Sequence, residues 1–74
     1  MDIYIVHEHD RHCDDEIKVF MKWENAFDFF MKVKDKIEDY YQEKFDYERN
    51  SKNDIVCYYG EDDYVRLYKS KTQD

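Results

Sequence analysis

The sequence predicts a small α+β domain: a four-stranded antiparallel sheet with one long helix packed on one face, in the order β-β-α-β-β. Three observations carry this. One stretch, Lys22 to about Glu48, repeats apolar residues three or four apart, as a helix buried on one side requires. Short apolar runs flank it, two before and two after, each bounded by polar clusters. The last two runs are joined by Gly60-Glu61-Asp62-Asp63, a turn in which Gly60 is expected to supply a positive φ.

Ile3 to His7 or His9 is a nearly continuous apolar run and reads as a buried strand. Asp10 to Glu16 is an acidic loop, after which Ile17-Lys18-Val19-Phe20 pairs back antiparallel. The helix lacks a capping side chain at Met21 or Lys22, and Glu24 in its first turn complements the helix dipole. Its apolar positions are Trp23, Ala26, Phe27, Phe30, Val33, Ile37, Tyr40 or Tyr41, and Phe45, and the cluster Asn50-Ser51-Lys52-Asn53 ends it. Strands Asp54–Tyr59 and Tyr64–Tyr68 complete the sheet, and residues 69–74 are expected to fray. The 74 residues, with no proline and a single glycine, make one domain with no linker.

One helix covers one sheet face. If Val65 and Leu67 point at it, then Tyr64, Arg66 and Tyr68 point away. The far face is expected to carry these with Tyr4 and either Tyr58 or Tyr59. Tyrosine and arginine are the types enriched at interface hot spots, although tyrosines also half-bury on a solvated sheet face with no partner.

Nineteen acidic against twelve basic side chains give a formal charge of −7. Such a chain is badly matched to phosphate backbones and anionic membranes, so no direct nucleic-acid or membrane partner is expected. The expected partner is a protein with a basic surface. No apolar run is long enough for a membrane span, and the N-terminus does not read as a signal peptide. Cytoplasmic residence is therefore the expectation, with Cys13 and Cys57 as free thiols.

A rival reading lies in His7-Glu8-His9-Asp10-Arg11-His12-Cys13. His7 and His9 share a strand face, and with His12 and Cys13 they could ligate zinc, nickel or copper. Otherwise no cofactor is expected. The acidic groups Asp14-Asp15-Glu16 and Glu61-Asp62-Asp63 lack a calcium-loop pattern. A Cys13 nucleophile would be deactivated by Asp14 and Asp15, and no phosphate loop or serine elbow is present, so no enzyme is expected.

In its size, acidity and Tyr-, Asp- and Lys-rich composition, the chain resembles small phage-encoded inhibitors of host defence, including anti-CRISPR proteins. The resemblance implies a stoichiometric inhibitor or adaptor. From the residues themselves, the acidic loops Asp14, Asp15, Glu16, Glu61, Asp62 and Asp63 would steer the encounter, and Tyr64, Arg66 and Tyr68 would anchor it. A third reading is a homodimeric structural domain that buries its open face against a second copy.

Overall fold

In the computed structural model, residues 1–11, 14–60 and 62–71 are described. Among them one helix and five strands follow in the order β1 (Asp2–His9), β2 (Glu16–Phe20), α1 (Trp23–Tyr41), β3 (Glu48–Ser51), β4 (Asp54–Tyr58) and β5 (Tyr64–Lys71). The strands form a single antiparallel sheet ordered β2-β1-β5-β4-β3, with the two longest at β1 and β5. The α+β class and the antiparallel β1–β2 pairing agree with expectation.

The helix is shorter than the sequence pattern predicted, and the sheet has five strands where four were expected, the added one being β3, formed where the turn after the helix was expected. The chain leaves the helix at Gln42, whose left-handed backbone (φ 54°, ψ 42°) breaks the repeat. The Gln42 side-chain amide donates to the Asp39 carbonyl at 2.6 Å, and the Glu43 N–H donates to the Glu38 carbonyl at 3.1 Å. Phe45 and Tyr47 still pack on the core, but from the returning chain: Phe45 meets Tyr41 and Tyr59, and Tyr47 meets Phe27 and Phe30. Their spacing imitated a helical stripe. Glu48 to Ser51 then pairs with β4, with a bulge between Arg49 and Ser51.

The core lies between α1 and one sheet face. Ala26, Phe30, Val33 and Ile37 of the helix bury against Val6, Ile55, Cys57, Val65 and Leu67 of β1, β4 and β5. Those helical positions are four, three and four apart, the stripe that a 3.6-residue period presents to a flat layer. At the helix start no side chain caps Lys22, and Trp23 instead rests edge-on against Tyr4, centroids 5.9 Å apart.

Two local expectations are corrected. Gly60 does not have a positive φ. It sits in a longer connection between Tyr58 and Tyr64, where a Cβ would come within 2.7 Å of Asp63 Oδ2 and force that side chain to shift. Lys69, Ser70 and Lys71, expected to fray, continue β5 and pair with Tyr4, Ile3 and Asp2. Residues 72–74 of that expected tail lie outside the described residues.

Glu38 ties the helix end to the chain that leaves it. It is only 7% exposed, and its Oε2 accepts the Phe45 backbone N–H at 2.8 Å and Lys34 Nζ at 2.9 Å. The Phe45 N–H first, and then Lys34, hold the carboxyl below its ordinary value of 4.5. A depressed folded-state pKa stabilises the fold fully above the unfolded value, and that stabilisation is lost as pH falls through the lower folded value. Glu38→Gln should therefore melt below the parent at neutral pH, with the gap closing as the pH is lowered through the carboxylate range. Thermal melts across that range check it, and a gap independent of pH would contradict the assignment.

Candidate functional site

Residues directly opposite in an antiparallel pair share a face, so the register assigns every strand position to one side of the sheet. Val6 opposes Leu67, and both are buried under α1. Their neighbours therefore face away. Three rows of side chains cross this open face. Val19, Ile5, Tyr68 and Asp54 form one, and Ile17, His7, Arg66, Val56 and Glu48 the next. His9, Tyr64 and Tyr58 form the third, and Ile3 lies opposite Ser70 beyond the first.

Tyr64, Arg66 and Tyr68 thus stand on the open face as the alternation predicted. Tyr4 does not. It shares the helix side with Val6, so the expectation that placed it on the far face is corrected. The reason is that Ile3-Tyr4-Ile5-Val6 is apolar throughout, so only the Val6–Leu67 register decides which half of it turns inward. Of the two candidates at the end of the fourth strand, Tyr58 closes β4 and faces outward, whereas Tyr59, just beyond it, is buried and its hydroxyl donates to the His9 carbonyl at 3.3 Å.

The polar groups of this face are held by one another. Arg66 donates Nε and Nη2 to the two oxygens of Asp54 at 2.9 and 2.8 Å, and its guanidinium lies 4.5 Å from the Tyr68 ring centre. The paired arginine keeps the Asp54 carboxyl below its ordinary range. His7 Nε2 and His9 Nδ1 donate to the two oxygens of Asp15 at 2.8 and 2.7 Å. A carboxylate can only accept, so these contacts place a proton on each of those ring nitrogens. The two imidazoles hold the Asp15 carboxyl low. Tyr64 stacks on His9 with centroids 5.2 Å apart and meets His7 and Tyr58 edge-on.

The acidic loops gather at one end of the sheet, where Asp15 reaches the open face while Glu16, opposite Glu8, lies with Asp14 on the helix side. The Arg11 N–H donates to Asp63 Oδ1 at 3.0 Å, joining the loop after β1 to the connection before β5. Asp14, Asp15, Glu16 and Asp62 are exposed there. Asp63 is 4% exposed, so it serves this latch and offers no free charge to a partner. Glu61 lies outside the described residues, as do His12 and Cys13 of the metal reading. His7 and His9 do share a face, but their facing nitrogens are engaged by Asp15, and among the described residues no three His, Cys, Asp or Glu side chains are arranged to hold a metal. Cys57 is a buried free thiol, and burial pushes its pKa up, away from reactivity.

The residues that the sequence argument overlooked are apolar. Ile17 and Val19 of β2 are 58% and 56% exposed, and Tyr58 is 55% exposed. With half-buried Ile3 and Ile5, Ile17 and Val19 add an apolar strip along β1 and β2 that ends at His7 and His9. The alternation in Glu16-Ile17-Lys18-Val19-Phe20 carried the signal, since only one of its two faces can be the helix side. No helix among the described residues is long and apolar enough to cross a membrane.

No protein-family model, curated protein or solved structure matches the chain significantly.

Proposed function

We propose that this chain is a non-enzymatic binding module whose open sheet face docks on a basic protein surface, acting as a stoichiometric inhibitor or adaptor. One observation carries the reading. Four of the six outward positions of β1 and β2, which a solvated antiparallel sheet fills with polar side chains, are here Ile3, Ile5, Ile17 and Val19, the other two being His7 and His9. Ile5 lies opposite Tyr68, and across the row of His7 and Arg66 stand Tyr64 and Tyr58, so the face combines apolar, aromatic and arginine side chains of the kinds enriched at protein-binding sites. The exposed acids Asp14, Asp15, Glu16 and Asp62 in the loops at one end of the sheet, and the net charge of −7, favour a basic partner and speed the encounter through long-range attraction. The defence-inhibitor role implied by composition fits such a surface, since occupying a basic groove requires no chemistry.

A photo-crosslinking residue at position 58, in cells that naturally produce the chain, tests this. It should yield a discrete adduct with another protein, and the same residue at Asp28 on the outer helix surface should not. Neutralising Asp14, Glu16 and Asp62 to their amides should slow association with the captured partner at low salt and leave it nearly insensitive to ionic strength. No adduct from position 58, or the same adduct from position 28, would overturn the proposal.

A further inference from the structure

The two edges of the sheet are built differently. Strand β3 is short and polar throughout (Glu48-Arg49-Asn50-Ser51) and carries a bulge, the devices by which an edge is kept from pairing with another chain. Strand β2 has no bulge and no proline, and its outward side chains are the exposed Ile17 and Val19. Met21, just beyond its end, is 59% exposed. Along its outer flank no described strand pairs with it.

We infer that β2 pairs with β2 of a second copy, antiparallel about a two-fold axis at Val19, to join two sheets into one. The register follows from charge and side-chain type. A two-fold perpendicular to the sheet pairs residues of equal parity, so the axis passes through Ile17, Lys18 or Val19. At Lys18 it sets two lysines directly opposite each other, which is repulsive. At Ile17 it pairs Glu16 with Lys18 but brings the two Asp15 positions to within about 13 Å along the strands. At Val19 those acids lie about 27 Å apart, well beyond a Debye length of about 8 Å at physiological salt.

Within β2 the Val19 register sets Val19 against its own copy and the Lys18 stem over Phe20, while Ile17 and Glu16 approach the bend at Met21 and Lys22 where the partner chain turns into its helix. Both open faces end on the same side, so the dimer presents two docking surfaces side by side. Self-pairing uses the β2 edge and does not depend on the docking reading, whose crosslinking position is on β4.

Sedimentation and cysteine crosslinking test the pairing. The unmodified chain should sediment at twice 9.3 kDa at micromolar concentration, and Val19→Lys should sediment at 9.3 kDa with its circular dichroism spectrum unchanged and a melting temperature that no longer rises with protein concentration. With Cys13→Ser as background, Val19→Cys should form a covalent dimer under mild oxidation far faster than Lys18→Cys. A monomeric parent at high micromolar concentration, a dimer indifferent to Val19→Lys, or faster crosslinking at position 18 would each overturn it.

Discussion

Phe30→Ala should remove a large part of the fold's stability. Phe30 is fully buried and meets the rings of Phe27 and Tyr47, with centroids 6.5 and 5.8 Å away. It is the largest wholly enclosed side chain between the helix and the sheet. Removing such a ring costs about 3–5 kcal/mol, from lost burial plus the cavity left behind. A domain of this size commands only about 4–11 kcal/mol in total. Urea titration followed by circular dichroism reads the effect. With a denaturant slope of about 1 kcal/mol per molar, the midpoint should fall by about 3–5 M. A fall below about 1 M would show that the layer closes over the gap, contrary to a core centred on this ring.

The second large effect concerns binding, and it separates docking from folding. Tyr58 is more than half exposed, so Tyr58→Ala should leave the melting temperature close to that of the parent. Against the captured partner, the same change should weaken affinity about 30-fold or more, the size expected when a hot-spot aromatic is truncated by about 2 kcal/mol. Tyr64→Ala should weaken binding at least as much, but it should also lower stability, because Tyr64 supports His7, His9 and Tyr58 through ring contacts. Isothermal titration and melting of both variants check this. Affinity unchanged by both would place the interface elsewhere.

The class of the fold was legible in the sequence because periodicity reports local geometry directly. Ala26, Phe30, Val33 and Ile37 sit where the helical repeat put them, and Val65 and Leu67 turn inward as alternation required. What was not legible depended on tertiary partners. Tyr41 and Phe45 continue the helical spacing, yet Gln42 adopts a left-handed turn stabilised by bonds back to Glu38 and Asp39 that no local pattern signals. The hidden strand Glu48–Ser51 is wholly polar and gains its order from pairing with β4. Tyr4 was assigned to the wrong face because a continuous apolar run hides its parity until its register with β5 is known.

The same limit shaped the candidate surface. Alternation in β5 was sufficient to place Tyr64, Arg66 and Tyr68 together. The apolar half of the face needed the position of β2 at the sheet edge, because only there do Ile17 and Val19 remain uncovered. Asp63 looked like one more surface acid beside Asp62, and the bond from the Arg11 N–H is what draws it inside.

The five isoleucines divide by face: Ile3, Ile5 and Ile17 point outward, and Ile37 and Ile55 lie in the core. Methyl spectra of isoleucine-labelled protein, recorded before and after addition of the captured partner, therefore test the docking surface most directly. The three outward methyl signals should shift or broaden while those of Ile37 and Ile55 hold their positions. A bound complex in which the outward signals stay unmoved would contradict the assignment of the open face as the binding site.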